Sequence, residues 1–279
     1  RWKRHLSHKD AILAVGGPCL TGLPVALAGK DFAVWFGTTI EDEQNVQKAA
    51  YSLPKRLRYE VIRPILRQYE GYVLEQANYV FAQSEYTRSR AIDKHNLSPD
   101  DIGVLPCAVD IDQFCPDYSR TNPLEIVFVG RLNDPRKNLS FLLKTFKRVV
   151  AEIPEAELTL VGDKPNTKYQ TLIRELDLSS NLNTPGKVDS VVPYLQRATV
   201  FAYPSQQEGF GIAALEALSC GTPVVSTDCG GPTDFVIDGK TGFIVDPADT
   251  NSFADRLITL LQNQTRGQEY GENGRALVQ

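Results

Sequence analysis

A chain of 279 residues with 42% hydrophobic and 23% charged residues has an ordinary globular composition and a core large enough to need no disulfide or metal staple. A net charge of -4 provides no strong basic field, which argues against nucleic acid as a partner. Cys19, Cys107, Cys115, Cys220 and Cys229 form no CxxC pair and no Cys/His cluster, so no zinc site or disulfide framework is indicated and a reducing, cytoplasmic setting is expected.

The chain opens on Arg1 and contains no methionine, so it reads as a piece of a longer protein. Short apolar runs then alternate with longer helical patterns. Strands are predicted at Ala11–Val15, Phe32–Phe36, Tyr79–Gln83, Ile102–Leu105, Glu125–Val129, Glu157–Val161, Thr199–Tyr203, Thr222–Ser226 and Phe243–Val245. Most are unbroken apolar runs, the pattern of parallel strands buried on both faces. Between the first strands, Tyr51–Tyr69 is basic and amphipathic, with Lys55, Arg56, Arg58, Arg63 and Arg67 around a stripe of Leu57, Val61, Ile65 and Tyr69. Such a stretch can lie on an anionic membrane surface; more commonly it packs on its own lobe, and Pro54 and Pro64 are expected to interrupt it.

Pro106–Pro123 breaks the rhythm with three prolines and no periodicity, and marks a boundary between residues 1–116 and 117–279. A complete Rossmann-like lobe needs roughly 150 residues, so the first lobe is expected to lack its opening strands. Beyond the boundary, Leu139, Leu142, Leu143, Phe146, Val149, Val150 and Ile153 trace one face of a helix. The alternation throughout predicts an α/β protein of two doubly wound lobes.

Two constellations carry chemistry. A strand runs into Gly130-Arg131, with Lys137 just ahead of the next helix. This places two cations at a carboxyl sheet edge, where they could converge on a diphosphate; alone, they would more often be solvated loop cations. A second strand runs through Pro204 and Ser205 to Glu208-Gly209-Phe210-Gly211, then into an apolar helix that Gly221 can end. Its free N–H groups form a ready anion site. Glu216 lies within that helix among Ile212, Ala213, Ala214, Leu215, Ala217 and Leu218. A carboxylate there is costly unless something donates to it. About 7 Å along the helix from its start, it could meet the ribose of a nucleotide whose phosphates sit at the N-terminus. A structural reading pairs it with a nearby Arg or backbone group. Asp163 at a strand end and Lys187-Val188 after a loop are weaker candidates, Gly230–Asp234 opens another helix, and none of His5, His8 and His95 reads as a catalytic base.

Gly130-Arg131-Leu132 with Lys137-Asn138, Val161-Gly162-Asp163, Glu208-Gly209-Phe210-Gly211 with Glu216, Cys220-Gly221-Thr222-Pro223 and Asp238-Gly239-Lys240-Thr241-Gly242 together resemble the retaining glycosyltransferases of family 4, from about Tyr79 to the end of the chain. The resemblance implies the GT-B fold, two Rossmann-like lobes facing a cleft, with a truncated acceptor-side lobe and a donor lobe. Arg131 and Lys137 would bind the donor diphosphate and Glu208 the donor-sugar hydroxyls. Gly209, Phe210, Gly211 and Ile212 would line sugar and phosphate, and Glu216 would take the ribose. Gly130, Asp163, Lys187 and Val188 would complete the donor side. The implied reaction moves a sugar from a nucleoside diphosphate sugar to an acceptor hydroxyl of a glycan, lipid or small molecule, with retention, without cofactor or metal. A GT-B nucleotide-sugar epimerase and a non-catalytic nucleotide-sugar-binding protein are the alternatives. Family members often carry a histidine after the strand equivalent to Phe32–Phe36; here the chain reads Gly37-Thr38-Thr39.

Overall fold

The computed structural model describes residues 9, 11–47, 51–117, 119 and 122–279; His5 and His8 lie outside them. The chain forms two compact units. One contains the chain up to Cys107 together with Gln207–Phe210; the other contains Ala108–Gln206 and Gly211–Gln279.

The first unit carries a parallel sheet of β1 (Leu13–Gly16), β2 (Ala33–Phe36), β3 (Tyr79–Ala82) and β4 (Ile102–Val104), in that spatial order. Helices α1 (Leu23–Leu27), α2 (Ile40–Gln47), α3 (Leu53–Gln76) and α4 (Glu85–His95) connect the strands. Val34, Phe36 and Ala82 are buried with Cys19, Val73 and Ala91 in one core. The other face of this sheet differs from the expectation of burial on both sides. Leu13 pairs in register with Ala33 and Ala33 with Tyr79, and Leu13, Val15 and Tyr79 are exposed. Helices cover one face of these apolar runs and leave the other to solvent among the described residues.

Neither proline interrupts α3, which runs through 24 residues. Pro54 stands in its first turn, where the missing N–H would have no partner anyway, and Pro64 is accommodated inside. The helix buries only Glu70, Val73 and Leu74 near its end. Its earlier stripe does not pack on its own unit: Leu53, Leu57, Val61, Ile65 and Tyr69 are 43–73% exposed. The buried Glu70 carboxylate accepts the Ile40 N–H at 3.0 Å, capping α2, and lies 3.1 Å from His95 Nε2. His95 is thereby a structural residue.

The second unit carries six parallel strands: β5 (Asn122–Gly130), β6 (Glu157–Gly162), β7 (Leu182–Gly186), β8 (Ala198–Tyr203), β9 (Val224–Thr227) and β10 (Gly242–Val245). Their spatial order is β10-β9-β8-β5-β6-β7, the doubly wound arrangement whose winding reverses between β5 and β8. Helices α5 (Leu139–Glu152), α6 (Thr167–Glu175), α7 (Val192–Arg197), α8 (Ile212–Ser219), α9 (Thr250–Gln262) and α10 (Gln264–Val278) complete it. The predicted stripe of α5 enters the core through Leu139, Leu142, Leu143, Phe146 and Val149. Strand β7 had no sequence signal: it reads Leu-Asn-Thr-Pro-Gly, and its polar residues and Pro185 are tolerated because it is an edge strand. Gly231–Asp234 is a single 3-10 turn, not a longer helix.

The units divide at Cys107–Ala108, nine residues before the expected boundary. The reason is local: Arg275 donates to the carbonyls of Phe114 at 2.7 Å and Ile111 at 3.0 Å, and Gln196 donates to that of Cys115 at 2.7 Å. The proline-rich segment is thereby tied into the second unit.

Candidate functional site

Open α/β sheets bind ligands outside the carboxyl ends of their strands where the winding reverses. Here that place lies beyond Gly130 and Tyr203, the ends of β5 and β8.

After β8 the chain turns at Gly211, whose φ of +92° is left-handed. A Cβ on Gly211 would lie 2.6 Å from Pro232 Cγ, so both backbone and packing require glycine. Helix α8 follows with no side-chain cap. At its other end, Gly221 donates to the Leu218 carbonyl at 3.0 Å and Thr222 to that of Ala217 at 2.9 Å. These bonds, with Gly221 at φ +75°, complete a Schellman motif. Both ends of α8 are therefore fixed by glycines, and its unbonded N–H groups stand at the carboxyl edge.

Glu216 lies half-buried on α8 with no hydrogen-bond or ion-pair partner among the described residues. Burial pushes its carboxyl above the ordinary value. The structural reading, a pairing with a nearby Arg or backbone donor, is not met.

The β5 loop is organised by Asp134. Its carboxylate lies 2.9 Å from Arg131 Nη2, pairs with Arg136 at 2.8 Å, and accepts the Arg136 N–H at 3.0 Å. Burial works to raise its pKa, but the Arg136 hydrogen bonds and the charges of Arg136 and Arg131 outweigh that and hold it below the ordinary value. Arg131 is left largely exposed, with its guanidinium leaning on Asp134. Lys137 reaches toward β8: Nζ lies 3.2 Å from the hydroxyl of buried Tyr203 and 5.0 Å from the centre of its ring. The Gln206 N–H donates to the Arg136 carbonyl at 2.7 Å. The two loops beside the winding reversal are thus joined, with Lys137 over the junction.

Gly130 leaves room for this arrangement, since a Cβ there would lie 3.6 Å from Lys137 Cε and 3.0 Å from Phe128 Cζ. The Asp163 carboxylate accepts from the Leu132 N–H at 2.7 Å and from the Asn133 N–H at 3.3 Å and its side chain. Asp163 holds the β5 loop in shape. Lys187 and Val188 follow β7, with Lys187 exposed at the sheet edge. Glu208, Gly209 and Phe210 group with the first unit, whereas Gly211, Ile212 and Glu216 belong to the second. Asp134 and Tyr203 went unrecognised in the sequence. An aspartate three residues after Arg131 was a visible signal; Tyr203, 66 residues from Lys137, gave none. Among the described residues no group of three or more His, Cys, Asp or Glu side chains could hold a metal ion.

Residues 115–277 match the family profile described as glycosyl transferases group 1. The chain belongs to this family. It is 31% identical over 209 residues to D-inositol 3-phosphate glycosyltransferase of Mycobacterium sp. (strain JLS), covering 69% of this chain and 46% of that protein. The chain spans about half the length of the curated relatives it matches. Sucrose-phosphate synthase from Thermosynechococcus elongatus is similar in structure at a TM-score of 0.81 and 24% identity, over 99% of this chain and 71% of that one. HepE from Anabaena in complex with UDP-glucose is similar at a TM-score of 0.76 and 18% identity, over 95% and 73%. The fold of this glycosyltransferase-family chain is GT-B. No helix among the described residues is long and apolar enough to cross a membrane.

Proposed function

We propose that this glycosyltransferase moves a sugar from a nucleoside diphosphate sugar to an acceptor hydroxyl with retention of anomeric configuration, as family 4 enzymes do. The observation that carries this reading is Glu216, a half-buried carboxylate on the helix that follows β8, with no side-chain hydrogen-bond or ion-pair partner among the described residues. A ribose diol supplies the two donors such a group needs. Arg131 and Lys137 bind the diphosphate, and the N–H groups opening α8, with Ile212 and Gly211, add to its charge stabilisation. Glu208 holds donor-sugar hydroxyls, with Gly209 and Phe210 beside them. Gly130 and Asp163 shape the cationic loop, and Lys187 and Val188 flank the base. In front-face transfer the departing diphosphate oxygen takes the acceptor proton, so the protein needs no side-chain base and acts by positioning and charge stabilisation. No metal or cofactor is required. UDP-glucose bound to the structurally similar HepE supports the donor class. Family membership favours transfer over the epimerase and binding-only readings. The exposed apolar stripe of α3, flanked by basic residues, supports peripheral contact with an anionic membrane surface.

Melting curves against UDP-glucose, UDP-N-acetylglucosamine, GDP-mannose and their free nucleotides test the donor. A ligand at 100 times its Kd stabilises by about 2.7 kcal/mol. With the donor found, Arg131→Ala and Lys137→Ala should each lower turnover at least tenfold with little change in melting temperature. Binding of none of these ligands, or parallel loss of turnover and melting temperature in both variants, would overturn the reading.

A further inference from the structure

The segment Gln207–Phe210 carries Glu208 and belongs to the first unit. Four contacts within that unit hold it. Ser84 Oγ donates to the Gly209 carbonyl at 2.6 Å, and Thr87 Oγ1 lies 3.2 Å from the same oxygen. Gln207 Nε2 donates to Thr38 Oγ1 at 3.0 Å. A Cβ on Gly209 would lie 1.7 Å from the Gly37 carbonyl oxygen, so only glycine allows the approach. Thr87 Oγ1 in turn donates to that Gly37 carbonyl at 2.9 Å.

Ser84 is the N-cap of α4 and Thr87 lies in its first turn. The cap is present: Ser84 Oγ accepts the Thr87 N–H at 3.0 Å. Capping uses only the oxygen of Ser84. Its proton is left over and goes to Gly209, while the Thr87 proton goes to Gly37. Two hydroxyl protons thus serve two carbonyls on two loops. Both hydroxyls are shielded from water, since Ser84 and Thr87 are buried. A loop carbonyl bonded there cannot trade its partner for solvent. Thr39 is spent differently, donating to Asp42 Oδ2 at 2.7 Å.

We infer that Ser84 and Thr87 are positioning residues: they pin the Glu208 loop to the start of α4 and thereby set the affinity for the sugar part of the donor rather than for its nucleotide. The second half of this inference rests on the function proposed above. Glu208 is the donor-sugar contact in that reading, while Arg131, Lys137 and Glu216 hold the nucleotide on other elements.

Hydrogen exchange and ligand binding separate the pin from its role. In the full ligand-free chain, Thr87→Val and Ser84→Ala should raise exchange across residues 206–212 at least tenfold. Ser84→Thr keeps both oxygen and proton and should restore wild-type exchange. Ser84→Asp keeps the cap and loses the donor, so it should open the 206–212 segment while the helix amides of α4 stay protected. Unchanged exchange at 206–212 in Thr87→Val and Ser84→Ala, or equal opening of α4 in Ser84→Asp, overturns the pin. Titration with UDP-glucose against UDP, and GDP-mannose against GDP, should show the sugar-nucleotide affinity falling about tenfold with free-nucleotide affinity within twofold. Equal loss of both affinities, or loss of neither, overturns the positioning role. If the wild-type chain binds none of the four ligands, the donor reading fails and the sugar-selecting role falls with it; the exchange data still decide the pin.

Discussion

Glu216 is a residue whose stability cost and functional value have opposite signs. Its carboxyl is pushed up by burial and has no side-chain hydrogen-bond or ion-pair partner among the described residues, so folding without ligand shifts it toward the protonated form. A folded-state pKa above the unfolded one contributes stability below the unfolded value that is lost as pH rises through the folded value. The wild-type chain should therefore lose stability from this group as pH rises past the ordinary carboxyl range, and Glu216→Gln should not. At pH 7 the variant should melt higher than wild type, with the gap closing near pH 4. Its nucleotide affinity should fall by about 1–3 kcal/mol, the value of a charged hydrogen bond. A lower melting temperature at pH 7 would mean the carboxylate is structural. Arg131 and Lys137 stood out in the sequence because they follow a glycine at a strand end, and Glu216 because it is a carboxylate within an otherwise small and apolar helix. Ser84 drew no reading in the sequence, because its second partner lies 125 residues away.

At the scale of elements, what positions the site is a set of ends: β5, β8 and the two glycine-bounded ends of α8. Nine of the described strands were legible as apolar runs, and the winding followed from their alternation with helices. The polar β7 was not, because an edge strand need not be apolar. The continuity of α3 was missed because both prolines were read as breaks, whereas Pro54 stands in the first turn, where it costs a helix little, and Pro64 is accommodated inside. The segment after Cys107 was read as part of a boundary between lobes, yet two of its carbonyls are held by one side chain from α10. Arg275 bonds Phe114, Ile111 and Ser219 at 2.7–3.0 Å. Arg275→Ala leaves those acceptors without this donor and should cost about 2–3 kcal/mol. Urea unfolding would measure the loss, and limited proteolysis should show new cleavage within residues 108–116. An unchanged midpoint and unchanged cleavage would show that the clamp contributes nothing.

For the molecule as a whole, the distribution of exposed apolar and charged groups is uneven. The chain carries a net charge of -4, yet residues 51–69 hold five cations against the single Glu60. Arg63 pairs with Glu60 at 3.7 Å and Arg67 donates to the Lys94 carbonyl, while Arg56 and Arg58 have no ion-pair partner among the described residues. An anionic bilayer repels most of such a molecule and attracts this face, at about 1 kcal/mol per Lys or Arg near the surface. The full chain should sediment with phosphatidylglycerol vesicles, not with phosphatidylcholine alone, and high salt should release it. Leu57→Asp with Val61→Asp should abolish sedimentation without lowering the melting temperature, since both side chains are exposed. Wild-type chain left in the supernatant would show that α3 does not meet lipid, and a dimer in light scattering broken by the same pair would assign the face to a second copy. The strand order has a consequence of another kind, in time. Strand β5 meets β6 soon after it is made, but its other neighbour, β8, ends about seventy residues later. At about 5–20 residues per second, the ribosome takes several seconds to supply it. Until then one edge of an apolar strand is bare and open to pairing with other chains. The β5 edge at the junction that positions Lys137 thus waits longer for its partner during synthesis than any other strand edge of this sheet among the described residues, and the nascent chain is open to mispairing for that interval.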